Sequence, residues 1–359
     1  MSGLPRQNSG PAVDRLRGPG PGKRHNARTI AALTANPGCS RRAVLDAAGV
    51  DKPKLAQHIG FPASFGQSRF ALARGNGFEA MLKADGCALL LATLGVLDTC
   101  EYDDLGEDRD DTLGARHART RDLLAGAGPP GLIDHPLLTL QVAGQTVFLE
   151  PDLIALQVEG RLQVVEIKSF AIVDGQADSA KVSAAATQAA VYVLALRRLL
   201  AELGQDESLV SHEVVLVCPE NFSLSPVAVT IDVRKQLSTL RRQLTRLASV
   251  ADLIAGLPAG LSFDLALPPA DLIAALGHVE ARYAPECLSA CELSVFCRDE
   301  SSGATAALGR PVRDALGGVE TVAEALALAS GERAPTDEQA EAAVLLQAAA
   351  RLRAEILGR

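Results

Sequence analysis

The chain has 359 residues, 48% of them hydrophobic, which is enough apolar content to bury a large core in one or two domains. Its formal net charge of −8 excludes a protein that binds nucleic acid through bulk charge, and 3% aromatic residues with no Trp exclude an extensive base-stacking platform. Seven cysteines without framework spacing argue against a secreted disulfide scaffold. No apolar run reaches the roughly 20 residues of a membrane span, and no signal-peptide core opens the chain, so the expected location is cytoplasmic, away from membranes.

In chain order, residues 1–28 carry six basic residues against Asp14 among Gly and Pro, and predict a flexible basic tail. From about 29 to 130 the pattern is mostly helical, interrupted at Gly75 and Gly77, with an acidic loop near 101–111. Residues 137–168 predict a strand meander with turns near Gly144 and Gly160. Val182, Ala186, Ala189, Val193, Leu196 and Leu200 recur at helical spacing and place a helix over Ala184 to Leu200. That helix crosses to an apolar buried strand, Val214 to Val217, followed by a strand over Val227 to Val233 and a long helix over 234–255. A helix near 270–281 leads into a loop-rich segment. Beyond about 302 the chain is Ala-rich and helical, with a short hairpin around Gly317-Gly318. Thr336 and Gln339 form a capping box for a last helix on which Leu345, Ala348, Leu352 and Ile356 share a face, a packing or partner-docking element.

Chemistry concentrates where the meander ends. Phe148-Leu149-Glu150-Pro151-Asp152 closes one apolar segment, and Glu166-Ile167-Lys168 closes the next. With a side-chain period of two, Glu166 and Lys168 share a face, and pairing of the strands brings Asp152 to the same end. Two carboxylates suit a hard divalent cation, and a neighbouring lysine can orient or deprotonate a bound water. Such triplets also occur as ion pairs on solvated strand faces, where they contribute little. Further along, Gln188 and Tyr192 lie four residues apart on one flank of the helix and can hydrogen-bond a phosphate or a DNA end.

Three cysteines, Cys287, Cys291 and Cys297, fall within eleven residues, and Cys39 is the best fourth, 248 positions before the first of them. Four thiolates suit a [4Fe–4S] cluster or tetrahedral zinc. Zinc sites usually draw on two close pairs, so a lone distant cysteine with a tight trio favours the cluster. Cys87, Cys100 and Cys218 sit in apolar surroundings and are assigned to the core. Gly75-x-Gly77-x-x-Ala80 matches a dinucleotide fingerprint in spacing only, since no strand precedes it.

Together these residues resemble the RecB-like branch of the PD-(D/E)XK nucleases, above all its iron–sulfur members, the AddB nuclease domain and the CRISPR-adaptation exonucleases. Gly75-Asn76-Gly77-Phe78-Glu79 matches that family's Gly-x-x-x-His/Glu motif, Asp152 its metal Asp, Glu166-Ile167-Lys168 its acidic-x-Lys, and Gln188 with Tyr192 its Gln-x-x-x-Tyr. The likeness runs over about residues 36–298 in the same order, with one early cysteine and a late trio. Two departures stand out. The first gap in the trio is three residues rather than two, which leaves the cluster type open, and Pro151 precedes the metal Asp.

The resemblance implies an α/β, restriction-endonuclease-like core, a central mixed sheet flanked by helices, with a cysteine-bound iron–sulfur staple and a helical C-terminal appendage. Its expected organisation is a tail over 1–28, a nuclease domain over 29–301 and an appendage over 302–359. The implied activity is Mg²⁺- or Mn²⁺-dependent DNA hydrolysis, exonucleolytic at ends or on single strands, in repair, CRISPR adaptation or antiviral defence. Glu79, Asp152, Glu166 and the Ile167 carbonyl would hold the cation, Lys168 the water, Gln188 and Tyr192 the DNA, and Cys39, Cys287, Cys291 and Cys297 the cluster. No Walker loop is present, so ATP-driven unwinding would come from a helicase or other ATPase docked on the appendage. The alternative is a non-catalytic subunit that binds DNA ends or scaffolds such a helicase. Basic candidates for a local groove are Arg41 and Arg42, Arg69 and Arg74, and Arg116, Arg119 and Arg121, the last three as a counterweight to the acidic run. Arg241, Arg242 and Arg246 are expected on a solvent face.

Overall fold

The structure, a computed structural model, describes residues 11–63, 69–95, 101–106, 112–126, 131–158, 160–221, 223–284 and 286–358. The chain divides into two compact units, Met1–Asn8 with His25–Thr34 and Gln67–Thr245, and Ser9–Arg24 with Ala35–Gly66 and Arg246–Arg359. The expected single domain over 29–301 is therefore shared between them. All four candidate cluster cysteines, and the C-terminal helices, belong to the second unit.

The first unit is α/β. Its strands are β1 (Glu101–Asp104), β2 (Gly131–Asp134), β3 (Leu138–Val142), β4 (Gln145–Leu149), β5 (Leu153–Val158), β6 (Arg161–Ile167), β7 (Glu213–Pro219) and β8 (Pro226–Asp232). Six of them form a mixed sheet in the order β1-β2-β5-β6-β7-β8, while β3 and β4 pair as a separate hairpin. β5 and β6 run antiparallel, and β6 and β7 run parallel, joined through the crossover helix Ser179–Glu202. Parallel neighbours need such a crossover, because a tight turn cannot reverse the chain twice.

Alternation along the strands sorts the two faces. Leu153, Val165, Val215 and Val217 pack with Phe78, Leu82 and Leu90 of the segment Arg69–Thr93. Leu216 and Cys218 face the other way, with Ile172 and Ala185. β7 is apolar on both faces because both are covered. Arg69–Thr93 is two helical stretches around a break at Ala84 to Cys87, where Asp85 and Cys87 take positive φ. Ser179–Glu202 is the one helix among the described residues long and apolar enough to cross a membrane, and 56% of its most apolar window is buried. It packs against β3, β6 and the helix Arg234–Leu244, the behaviour of a core helix.

The regular elements of the second unit are all helices among its described residues. Its main core joins Val13 and Leu16 to Val44, Leu45, Phe263, Leu272 and Phe296. A smaller core of Val319, Leu328 and Ala343 ties the helices Val322–Ser330 and Ala340–Ile356 together. The capping box is formed, with Gln339 Oε1 accepting from the Thr336 N–H at 3.2 Å.

Three local expectations change. Residues 1–10 of the expected tail lie outside the described residues, but Pro11–Arg17 is a helix, because Val13 and Leu16 find an apolar surface to bury against. The acidic segment at 101 begins as strand β1, parallel to β2; pairing supplies what its carboxylates lack in strand propensity. The rest of the acidic run, 107–111, lies outside the described residues. The long helix over 234–255 is two, Arg234–Leu244 and Val250–Ala255, which fall in different units.

Candidate functional site

The register that pairs Leu153 with Val165 sets Asp152 across from Glu166 at the end of the sheet. Val165 and Ile167 pack on one face, so Glu166 and Lys168 turn to the other. Asp152 Oδ2 accepts from the Ile167 N–H at 2.7 Å, which locks its carboxylate over the next strand. Lys168 Nζ donates to Glu166 Oε2 and lies 4.0 Å from Asp152 Oδ2. The structure thus brings Asp152, Glu166 and Lys168 into one group.

Glu166 is 1% exposed, and its Oε1 atom is buried with no hydrogen-bond partner. Burial pushes its carboxyl from the ordinary 4.5 to about 7; Lys168 pulls it back, and the charge of Asp152 adds to the rise. Desolvation raises Asp152 as well, with Lys168 and the Ile167 N–H opposing. For Lys168, burial disfavours the charge, but Glu166 and Asp152 outweigh it and hold the ammonium above its usual range. A buried carboxylate oxygen left unsatisfied is costly, and a cation is the partner that would satisfy it.

Glu79, on the first stretch of Arg69–Thr93, adds its negative charge to both Asp152 and Glu166. Gly75, one turn earlier, lets that helix approach closely: a Cβ there would stand 3.3 Å from Ser169 Cβ, beside Lys168. On the crossover helix, Tyr192 is buried, and burial together with the charges of Glu166, Asp152 and Glu150 pushes its hydroxyl well above the usual range. It remains a hydrogen-bond donor. Gln188 lies one turn earlier, half-buried. The donor set fits a hard divalent ion: carboxylates, a buried orphan oxygen and a lysine at the rim.

Sequence reasoning missed a neighbouring cluster. Asp104, Asp134 and His135 present ligand-type atoms within 4.8 Å of one another. Tyr102 donates to Asp134 Oδ2 at 2.8 Å, and His135 Nδ1 lies 2.9 Å from Asp104 Oδ1. Lys83 Nζ sits 2.7 Å from Asp134 Oδ1 and 2.7 Å from Glu79 Oε1. The available signal was Glu79-x-x-x-Lys83 at helical spacing and Ile133-Asp134 ending an apolar strand.

In the second unit, the segment around Cys39 meets the late trio. Asn36 Nδ2 donates to Cys287 Sγ at 3.4 Å, Arg41 Nη1 to Cys297 Sγ at 3.3 Å, and Arg42 Nη1 to the Ala290 carbonyl at 2.8 Å. Burial pushes the Cys291 thiol up to about 11, with Arg42 opposing, and the Cys297 thiol up to about 12, with Arg41 opposing; the charge of Cys39 acts on both. Among the described residues no three cysteine sulfurs lie within 4.8 Å of one another. Around a single tetrahedral zinc, with bonds of about 2.3 Å, the sulfurs would stand about 3.8 Å apart. No cysteine cluster at metal-ligand spacing is evident among the described residues, and the two buried guanidiniums there pair with Glu300 and Asp46.

The arginines fall differently from the expected groove. Arg41 and Arg42 are 3% and 4% exposed, turned into the second unit rather than to solvent, because Glu300 and Asp46 pair with them there. Arg116 pairs with Glu150, Arg121 with Glu202 at 3.0 Å, and Arg119 donates to the Leu105 carbonyl. The Arg69 side chain lies outside the described residues, and Arg74 is half-buried. Arg241, Arg242 and Arg246 are exposed. Cys87 and Cys218 are buried in the first unit, and Cys100 lies outside the described residues.

No protein-family model and no curated protein matches the chain. A solved structure described as "Crystal structure of SSO0001" is similar over 55% of this chain and 84% of its own, at 14% identity and a TM-score of 0.20. At that score the likeness carries no argument about fold or function.

Proposed function

We propose that the first unit is a divalent-metal-dependent deoxyribonuclease of the restriction-endonuclease-like, PD-(D/E)XK type. One observation carries the reading: Asp152, Glu166 and Lys168 converge at one sheet end, with the buried Glu166 Oε1 lacking any partner. The order helix, β2, β5, β6, crossover helix and parallel β7 supports the same fold.

Asp152 and Glu166, with Glu79 and the Ile167 carbonyl, would hold Mg²⁺ or Mn²⁺. A bound ion of this kind lowers the pKa of a water and neutralises charge on a phosphate. Lys168 would orient the attacking water with its ammonium, which also offsets the repulsion between the buried Glu166 and the part-buried Asp152 carboxylates. Tyr192, protonated, and Gln188 would donate to the phosphate or the strand end. In the second unit, Cys39, Cys287, Cys291 and Cys297 would hold a [4Fe–4S] cluster, which supplies a covalent tie between distant segments. Arg41 and Arg42 offset the charge of the thiolates. The proposed setting is DNA repair, CRISPR adaptation or antiviral defence in the cytoplasm, with a helicase or other ATPase as partner.

The test is digestion of open and end-blocked DNA with Mg²⁺ or Mn²⁺. Wild-type protein should cleave, while Glu166→Gln and Lys168→Ala should each lose at least about 100-fold in rate with unchanged circular dichroism. Cleavage in EDTA, or an active Lys168→Ala protein, rejects the mechanism.

A further inference from the structure

Lys83 stands where sequence reasoning assigned nothing. Its side chain is 11% exposed and reaches from the Glu79 helix to the end of β2. The ammonium forms ion pairs with Glu79 Oε1 and Asp134 Oδ1, each at 2.7 Å, and a hydrogen bond with His135 Nε2 at 3.3 Å; the buried Asp134 Oδ1 has no hydrogen-bond partner, so the ammonium meets its charge without satisfying it. The other ring nitrogen of His135, Nδ1, faces Asp104 Oδ1 at 2.9 Å and Asp134 Oδ1 at 3.2 Å. Tyr102 donates to Asp134 Oδ2 from the other side, and the Gly106 N–H donates to Asp104 Oδ1 at 2.7 Å.

Without the ammonium, this would be a donor set of the kind that binds divalent ions, namely two carboxylates and an imidazole about one point. With it, the same atoms surround a covalently tethered cation. Glu79 lends Oε1 to Lys83 and has a second oxygen to offer the Asp152–Glu166 pair.

We propose that Lys83 sets the metal stoichiometry of this sheet end, its ammonium occupying the place a second divalent cation would take beside Glu79, Asp134 and His135. The inference rests on the reading of Asp152 and Glu166 as a metal site, and its test separates the two. Mn²⁺ bound per chain is read by electron paramagnetic resonance on the full protein, comparing wild type, Lys83→Met and Lys83→Arg, with Glu166→Gln as the marker of the first site. Lys83→Met should bind about one Mn²⁺ more than wild type, and Lys83→Arg no more than wild type. Equal stoichiometry in wild type and Lys83→Met overturns the proposal.

Lys83→Met leaves the buried Asp134 carboxylate uncompensated and will lose stability. Its melting temperature should therefore rise with Mn²⁺ by more than that of wild type; an equal rise also overturns the proposal. The double variant Lys83→Met with Asp134→Asn removes both charges, and should fold without Mn²⁺ and bind no extra ion. An extra ion in that variant would lie elsewhere and refute the placement. The increment on removing Lys83 tests Lys83, whereas loss of an ion in Glu166→Gln tests the parent site.

Discussion

Glu166 carries the sharpest residue-scale consequence. Its carboxyl, raised from 4.5 to about 7 chiefly by burial, holds a proton in the folded chain that the unfolded chain has already released. Between those values the folded state binds more protons, so stability is lost as pH rises through the window. The loss is on the order of 2–3 kcal/mol, and the raised Asp152 adds to it with the same sign. Lys168, raised above its ordinary value, contributes only at pH beyond the lysine range. In EDTA, the melting temperature should fall as pH goes from 4.5 toward 7, and Glu166→Gln should flatten that slope. Mg²⁺ should flatten it in wild type too, because a cation pays the cost of the buried charge. A slope unchanged in Glu166→Gln would assign the titration to another group.

At the scale of elements, the approach of the Glu79 helix to the segment after β6 depends on one missing side chain. A Cβ on Gly75 would meet Ser169 Cβ at 3.3 Å, whereas a Cβ on Gly77 meets nothing within 4 Å. Both glycines lie within a helical stretch, where replacing Gly by Ala favours the helix by about 0.5–1 kcal/mol if space allows. Gly77→Ala should therefore raise stability by about that amount and leave cleavage intact. Gly75→Val should push the helix back from Ser169, drawing Glu79 away from Asp152 and Glu166, and cut the cleavage rate by at least about tenfold. Thermal melts and initial rates on both variants decide it: a fully active Gly75→Val protein would remove Glu79 from the site.

For the whole molecule, the organising fact is that the two units interleave along the chain, the second drawing segments from before and after the long segment Gln67–Thr245 of the first. Cys39 and Cys287 are 248 positions apart, so a group held by both closes a loop that contains nearly the whole first unit. By analogy with a disulfide, closing so long a loop is worth roughly 2–5 kcal/mol, and metal bound only by the folded chain adds its own binding energy. Anaerobically purified protein should be brown, with about four iron atoms per chain. Cys39→Ser and Cys291→Ser should lose iron and stability alike, since either opens the loop, while Cys87→Ser and Cys218→Ser should keep their iron. Metal analysis with paired melting curves is the measurement. Zinc in place of iron would change the group and keep the tie, whereas full stability of Cys39→Ser would remove the tie itself.

What the sequence determined by itself was local. Period-two alternation put Glu166 and Lys168 on one face, helical spacing placed Gln188 and Tyr192 one turn apart, and Thr336 with Gln339 announced a helix start, because backbone geometry alone sets these relations. The tertiary structure decided everything that depends on burial and on which segments meet. Arg41 and Arg42 looked like a basic patch for DNA, yet they are buried, because Glu300 and Asp46 lie across from them in the fold. Glu101–Asp104 looked like an acidic loop, yet it pairs with β2. Lys83 gave no signal beyond its spacing from Glu79, since Asp134 and His135 reach it only once β2 is in the sheet. The division into two units was equally hidden, because no composition shift marks a boundary that the chain crosses several times. Charge and spacing are properties of a string of residues; desolvation and long-range pairing exist only when the string is folded.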